Sequence, residues 1–278
     1  MNYRHAFHAG NFADLVKHAA VLWLMDRLTR DPRPLLVVDT HAGAGEYDLT
    51  SEDQVRSKEA EAGIGRLMGQ GAPVSLQPLA RSVSRRNSGS GPRIYPGSPA
   101  LILQGLRAQD RYLGCELNPD VVPALRALVG RDAAAATALM VDGYDQAGVE
   151  AGRAEPGQRL FVLIDPPFER ADDYARAAEA MRAVLGRRSD AVVAVWLPLK
   201  DLETLDGFVR RLEDGGRVRA LIAEARLRPL LDPMRMNGCA LVVAGAPEGA
   251  EAALERICAD VVEALGEPGG AAKVWSIG

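Results

Sequence analysis

The stretch Asp165-Pro166-Pro167-Phe168 combines residue types that can hold a planar amino group. It follows the apolar run 160–164, which is typical of a buried strand. Proline locks φ and donates no hydrogen bond, so the proline pair ends the strand and fixes the next carbonyl in place. Asp165 and the Pro166 carbonyl can then each accept one N–H, while Phe168 stacks on the attached ring. Methyl transfer to the exocyclic nitrogen of adenine or cytosine requires this arrangement; a strand end beside a surface loop is the alternative.

A second group of residues predicts a nucleotide-type ligand at the end of an earlier strand. The apolar run 35–38 leads into Asp39-Thr40-His41-Ala42-Gly43-Ala44-Gly45. Glycine has no Cβ, so a chain that contains it can turn tightly and approach a ligand closely. The loop lacks the full G-x-G-x-x-G of dinucleotide sites and the G-x-x-x-x-G-K-[ST] of ATP sites. A glycine loop without any ligand is an equally good interpretation of this segment alone.

Acidic residues follow the next three predicted strands. Glu116 ends the second strand, where a carboxylate can accept hydrogen bonds from both ribose hydroxyls. Asp142-Gly143 ends the third, where an acid can accept from an adenine amino group, and Asp165 ends the fourth. Ligands of open α/β sheets bind beyond the carboxyl ends of the strands, so these acids are expected to line one crevice. The order of glycine loop, ribose acid, adenine acid and Asp-Pro-Pro-Phe is that of an S-adenosylmethionine-dependent amino-methyltransferase.

Strands alternate with helices along most of the chain, which predicts an α/β fold with helices on both faces of a parallel-type sheet. An amphipathic helix is predicted first, at residues 12–29. The predicted strands are residues 35–38, 112–117, 138–141, 160–164, 191–197, 221–227 and 239–244. The later predicted helices are residues 119–128, 173–185, 202–213 and 250–265.

Residues 46–95 break this alternation with helical patches, no convincing strand and a Ser/Gly/Asn-rich tip at residues 82–91. We interpret them as a small helical insertion, so that residues 1–45 and 96–278 form one domain. The insertion explains why Gly45 and Glu116 lie much further apart than the roughly 20 residues usual in dinucleotide folds. Ser98 is predicted to cap the following helix, and a helix N-terminus that lies near a carboxylate is the functional alternative.

The N-terminal segment is polar and partly aromatic, because it contains Tyr3, His5 and Lys17. It is suited to lie over a bound cofactor or a target base; an exposed tail is the alternative. The spacing of the histidines does not indicate a metal site, and the three cysteines form no CxxC pair. We therefore predict no metal.

Composition and charge limit the remaining possibilities. At 47% hydrophobic and 25% charged residues the chain is globular, and no apolar run reaches 18 residues, so we expect a cytoplasmic protein without a membrane span. The net charge of −4 argues against indiscriminate coating of nucleic acid. No acidic residue lies between Glu61 and Asp110, which predicts either a phosphate-contacting face or a solvated surface. Its cations are Arg66, Arg81, Arg85, Arg86, Arg93 and Arg107. Without a heptad pattern, a monomer is expected.

Together these motifs resemble the RlmJ-type 23S rRNA adenine-N6 methyltransferases. The resemblance rests on residues 3–11, on Ala13-Asp14-x-x-Lys17-His18, on the loop 39–45, on Tyr95-Pro96-Gly97-Ser98-Pro99, on Glu116-Leu117-x-Pro119, on Asp142-Gly143 and on residues 164–168. It implies a Rossmann-like class I S-adenosylmethionine-dependent methyltransferase fold with an inserted helical subdomain. It also implies S-adenosyl-L-methionine as the cofactor and 23S rRNA as the partner and substrate.

The resemblance further implies roles for individual residues. Asp165 would hold the target amine with Pro166 and Phe168, and the residues that match the family's functional N-terminal positions are Tyr3, His5 and Lys17. Those that would contact the cofactor are His18, His41, Ser98, Glu116, Asp142 and Gly143, besides Asp39, Gly43 and Gly45 of the glycine loop and Asp165. Phe168 departs from the family, which more often has tyrosine there, so stacking is kept but any hydroxyl role is lost.

Two other functions fit the same residues. A DNA adenine-N6 methyltransferase shares the amine chemistry, but the chain has no recognisable base-reading domain. A non-catalytic nucleic-acid-binding protein, linked to the use of external DNA, needs none of the cofactor acids that this sequence retains.

Overall fold

The computed structural model describes residues 8–278 except residues 90, 132–134, 215 and 217. Its strands are β1 (Leu35–Asp39), β2 (Glu46–Asp48), β3 (Ile94–Pro96), β4 (Arg111–Cys115), β5 (Ala135–Leu139), β6 (Arg159–Ile164), β7 (Val192–Leu199), β8 (Ala220–Arg226), β9 (Gly238–Ala244) and β10 (Ala271–Ile277). Its helices are α1 (Phe12–Leu28), α2 (Glu52–Ser57), α3 (Arg66–Gln70), α4 (Gln77–Arg85), α5 (Ser98–Leu103), α6 (Val122–Val129), α7 (Gly143–Arg153), α8 (Asp173–Arg187), α9 (Leu202–Glu213) and α10 (Ala250–Leu265). Short π-helical and 3-10 segments lie at Glu61–Gly65 and Val74–Leu76.

Eight of the strands form one sheet in the order β10-β8-β9-β7-β6-β1-β4-β5. Strands β5, β4, β1, β6 and β7 run parallel, while β9 and β10 are antiparallel to their neighbours. The chain leaves β1 towards β4 and later returns to β6 on its other side, so the carboxyl end of β1 is a topological switch point. The predicted doubly wound α/β fold is confirmed.

Two apolar cores flank the sheet, one towards α1, α5, α6 and α10 and the other towards α7, α8 and α9. Helix α1 is buried on most of its surface, which is unusual for a helix that carries charges. Asp14, Lys17 and His18 are therefore inside the protein, each at most 4% exposed. None of the helices in the described parts of the chain is long and apolar enough to cross a membrane.

Outside the segment between β1 and β4, the sequence prediction missed one helix and one strand and displaced a second strand. Helix α7 is rich in glycine and alanine, so its apolar periodicity is weak. Strand β10 was not predicted because it is half-exposed at the edge of the sheet and its sequence lacks a buried apolar run. The strand predicted at residues 138–141 begins earlier, because its first residues are alanines without the branched side chains that mark strands.

Between β1 and β4 the chain forms short helices, as predicted, but the expectation of no strand was wrong. Strands β2 and β3 pair antiparallel, with Tyr47 opposite Tyr95. Each strand has only three residues, which are too few to show the alternating pattern that predicts a strand. The expected tip at residues 82–91 was partly wrong as well, because Ser82 lies buried on α4. Beyond α4, the Asn87 amide bonds to the backbone of Arg93 and Ile94 and closes the loop.

The π-helical segment packs backbone to backbone against the chain before α1. The Ile64 amide donates to the Gly10 carbonyl at 2.9 Å, and Gln54 Nε2 donates to the Ala9 carbonyl at 3.3 Å. A Cβ at Gly63 would lie 2.2 Å from the Gly10 carbonyl oxygen. Glycine at position 63 therefore permits this close approach.

We expect Gly63→Ala to destabilise the protein by about 1–3 kcal/mol, because the added methyl must push the two backbones apart. Gly69→Ala is the matched control: it lies in α3 and a Cβ there meets nothing within 4 Å. That variant should be more stable by roughly 0.5–1 kcal/mol. Urea unfolding of both variants measures the difference, and equal effects would contradict the close packing.

Candidate active site

A buried group of three charges lies at the end of β6. Lys17 Nζ is 2.5 Å from Asp165 Oδ2 and 2.8 Å from Asp14 Oδ1. Burial alone would lower the pKa of Lys17, but the two carboxylates outweigh it and raise that pKa above its ordinary value. Lys17 is thus a fixed cation. No hydrogen bond from the described residues reaches Asp165 Oδ1, so this oxygen remains an acceptor.

The residues directly after Asp165 have an irregular backbone. Pro166 is buried and Phe168 half-buried, and Phe168 has a φ of 52°. A bulky residue rarely adopts this left-handed conformation unless its surroundings impose it. Here the Phe168 ring centroid lies 4.5 Å from that of Tyr174 and 5.9 Å from that of Trp196. Two aromatic neighbours therefore hold the Phe168 ring, three residues after Asp165 in the chain.

The glycine loop after β1 is held by Glu116. Glu116 Oε2 accepts from the Gly43 amide at 3.0 Å, and Oε1 accepts from the Asn118 amide at 2.8 Å. Gly43 and Gly45 have φ values of 63° and 83°, and a Cβ on Gly43 would lie 2.2 Å from the Tyr47 hydroxyl. The predicted pairing of a glycine loop with an acid after the second parallel strand is therefore a direct contact.

Asp39 lies behind this loop, at the end of β1, and has no exposed surface. Its Oδ2 accepts from Ser98 Oγ at 2.7 Å and from the Tyr112 hydroxyl at 3.3 Å. Burial raises the pKa of Asp39 to about 7, although the Ser98 hydrogen bond opposes the shift. The predicted capping role of Ser98 was wrong, because Gly97 is the N-cap of α5 and the Ser98 hydroxyl binds Asp39.

Asp142 caps α7 by accepting from the Tyr144 amide at 3.0 Å, and Gly143 begins that helix. Burial would raise the pKa of Asp142, but Arg176, 2.8 Å away, holds it below the ordinary value. The Arg176 guanidinium also covers the Tyr144 ring, and His41 meets the same ring edge-on with centroids 4.6 Å apart. Burial lowers the pKa of His41 to about 4, so the imidazole is neutral at pH 7.

His18 is buried below the N-terminal turn, where its Nδ1 and the Tyr95 hydroxyl lie 2.7 Å apart. This contact joins α1 to β3. Two residues predicted to be functional, Tyr3 and His5, lie outside the described residues. The structure thus brings Lys17 and Asp165 together directly. It places the glycine loop, Glu116, Asp142 and Asp165 after the carboxyl ends of β1, β4, β5 and β6, while His18 and Ser98 lie on α1 and α5.

Known proteins resemble this chain in sequence and in fold. The profile of the family described as RsmJ, ribosomal RNA large subunit methyltransferase D, RlmJ, matches residues 32–277. The chain belongs to this family. It is 33% identical over 248 residues to ribosomal RNA large subunit methyltransferase J of Escherichia coli K12, covering 89% of this chain and 88% of that protein. Over 259 residues it is 32% identical to the protein of the same name from Haemophilus influenzae, covering 92% and 91%.

A crystal structure of a Legionella pneumophila protein has the same fold, with a TM-score of 0.88 at 26% identity. The alignment covers 97% of this chain and 98% of that protein. The family resemblance inferred from the motifs is therefore confirmed. With the doubly wound sheet, it also confirms the class I methyltransferase fold.

The basic segment is only partly available as a surface. Arg86 binds Glu46 at 2.9 Å and the Ala100 carbonyl, and Arg107 binds Asp110 and backbone carbonyls of the α1–β1 connection. Both guanidinium groups are engaged within the protein, so their expected role as phosphate contacts stays a prediction. The exposed cations of the segment are Arg66, Arg81, Arg85 and Arg93. Within the described ranges, no cluster of three or more His, Cys, Asp or Glu could hold a metal ion.

Sequence reasoning missed four residues of the site. Asp14 could have been found, because it lies one helical turn before Lys17. The other three, Tyr174, Arg176 and Trp196, come from α8 and β7 and carry no local motif. They contact Phe168, Asp142 and Lys17 only through the tertiary fold.

The burial of Asp39 predicts a pH-dependent stability. Its pKa is raised on folding, so its contribution to the free energy of unfolding is full below about pH 4 and is lost as the pH rises through about 7. Asp39→Asn cannot ionise and keeps an acceptor for Ser98. Relative to the wild type, it should gain roughly 3 kcal/mol between pH 4 and pH 8.

Urea unfolding at four pH values between 4 and 8 measures this gain. Asp26→Asn, which changes an exposed acid at the surface of α1, is the control, and its free energy of unfolding should change with pH as that of the wild type does. The same pH dependence in Asp39→Asn and the wild type would contradict the raised pKa.

Proposed function

We propose that this chain transfers a methyl group from S-adenosylmethionine to N6 of an adenine in 23S rRNA. The observation that carries the proposal is the Asp165 carboxylate, which Lys17 holds at 2.5 Å and which Pro166 and Phe168 follow in the chain. Family membership supports the substrate class, since the two relatives are named ribosomal RNA large subunit methyltransferases.

The polar groups of the candidate site fit S-adenosylmethionine. Glu116 and Asp142 each hold backbone amides and keep further lone pairs, which suits ribose hydroxyls and an adenine amino group. Three acids along one crevice also suit a cationic ligand. We propose that the cofactor is held by His18, His41, Gly43, Gly45, Ser98, Glu116, Asp142, Gly143 and Asp165. Asp39 has no exposed surface, so we place it behind the crevice, where it fixes Ser98.

S-adenosylmethionine supplies a methyl group that its sulfonium already activates. The protein must therefore make the adenine amine more nucleophilic, because its lone pair is delocalised into the ring. By accepting the two N–H groups, Asp165 Oδ1 and the Pro166 carbonyl favour a tetrahedral nitrogen. These hydrogen bonds strengthen as the nitrogen becomes positive, so they stabilise the transition state more than the ground state. Lys17 fixes the acceptor and does not act as a base, because its pKa is raised.

The target adenine must leave its stack to reach Asp165, so an unpaired or locally opened RNA segment is the expected substrate. We propose that residues 46–95 form a subdomain that contacts RNA phosphates. Its candidate cations are the exposed Arg66, Arg81, Arg85 and Arg93. Such a substrate places the enzyme in the cytoplasm, and the expectation of a monomer stays a prediction.

The first test is methyl transfer from labelled S-adenosylmethionine to protein-free 23S rRNA, with duplex DNA in parallel. We expect N6-methyladenine in the rRNA alone. Asp165→Asn should reduce kcat about 100-fold or more, because the amide carries no charge to stabilise the amine. The matched control is Asp120→Asn, an exposed acid after β4 at the same sheet edge.

Label in DNA alone would move the function to a DNA methyltransferase. No label in either nucleic acid, with the cofactor bound, would exclude naked 23S rRNA as the substrate. Melting temperatures of the variants separate lost chemistry from lost folding, and Asp165→Ala gives a second variant without any acceptor.

Cofactor binding provides a separate prediction. Glu116→Gln should raise the Kd for S-adenosylmethionine about 10- to 100-fold, since one charge-assisted acceptor is lost. Calorimetry measures this Kd, and Glu203→Gln, an exposed acid on α9, is the control. An unchanged Kd in Glu116→Gln would show that the cofactor is held elsewhere.

A further inference from the structure

Trp196 lies on β7, the strand next to β6, and no motif pointed to it. Its ring stays partly exposed, while the neighbours Val195 and Leu197 are fully buried. The ring centroid lies 5.9 Å from the Phe168 ring and 5.6 Å from Lys17 Nζ. Trp196 therefore contacts both halves of the proposed adenine pocket, the stacking ring and the cation that holds the Asp165 acceptor.

These two halves come from segments far apart in the chain. Lys17 lies on α1, whereas Phe168 follows β6, and a hydrogen bond across 148 residues joins Lys17 to Asp165. The left-handed φ of Phe168 means that packing must determine where its ring points. A rigid indole between Phe168 and Lys17 fixes the distance between the stacking surface and the N–H acceptor.

The chemistry of the indole agrees with this role. A cation is attracted to the ring face, and the attraction is strongest for tryptophan. The buried Nε1–H faces the weakly accepting Cys239 sulfur and makes no hydrogen bond of ordinary geometry to the described residues. The contacts that the indole makes in the site are therefore those of its ring with Lys17 and Phe168.

We infer that Trp196 is a positioning residue for methyl transfer: it sets the geometry between the Phe168 platform and the Lys17–Asp165 pair. The inference rests on the proposed function. A positioning role differs from a packing role because removing the ring should lower turnover without weakening cofactor binding. An error of about 1 Å in such a geometry can cost about 100-fold in rate.

The test compares Trp196→Leu with Trp196→Phe. The leucine variant should lose kcat about 10- to 100-fold, while the KM for 23S rRNA and the Kd for S-adenosylmethionine change less than about threefold. The phenylalanine variant should recover a large part of the rate, because it restores a ring against Lys17 and Phe168. Trp275→Leu is the matched control: Trp275 makes the same kind of contact with Lys273, at 4.8 Å, on the edge strand β10.

Three outcomes would overturn the inference: an unchanged kcat in Trp196→Leu, equal losses in kcat and cofactor affinity, or a leucine variant as active as the phenylalanine variant. Failure of the wild type to methylate rRNA would instead reject the proposed function.

A second readout does not depend on turnover. In a Trp23→Phe/Trp275→Phe protein, Trp196 is the one remaining tryptophan. Its emission should shift when 23S rRNA is added to the protein saturated with S-adenosylhomocysteine. Bound RNA with an unchanged spectrum would place the target base away from Trp196 and overturn the inference.

Discussion

The ion group of Asp14, Lys17 and Asp165 is the interaction on which the rest of the site depends. A lone charge at this depth would cost several kcal/mol, so each member requires the others. Lys17 bridges the two carboxylates, so these three side chains are held together before any ligand arrives.

A second, separate set of hydrogen bonds holds the glycine loop and Ser98. Glu116 clamps the glycine loop from β4, and Asp39 anchors Ser98 from β1. The segment from residue 46 to residue 95 interrupts the chain between these contacts without disturbing them, because β2 pairs with β3 and the Gly97 amide bonds to the Gly45 carbonyl at 2.8 Å. The chain thus leaves and re-enters the core at one point, which explains how the glycine loop and Glu116 meet despite their long separation.

The sequence was informative wherever a local rule decides the structure. Helices α9 and α10 have the predicted bounds, and the strand before Asp165 ends where the proline pair requires it. What could not be read locally depends on tertiary contacts. The ion pair of Lys17 with Asp165, the burial of Asp39 and the ring of Trp196 all require the sheet order to be known. Ser98 shows the difference: its position suggested a cap, but the fold turned its hydroxyl to Asp39.

The phenylalanine at position 168 has a physical consequence for the base side of the pocket. A tyrosine there could orient its ring through a hydroxyl hydrogen bond. Phe168 has no hydroxyl group, so the orientation of its ring depends on its left-handed backbone and on the rings of Tyr174 and Trp196. Packing fixes a ring as well as a hydrogen bond does when the neighbours are themselves rigid. Trp196 meets that condition, because it sits within β7 between two fully buried neighbours and faces the fixed Lys17 ammonium. The orientation of the Phe168 ring therefore depends on the strand beside it.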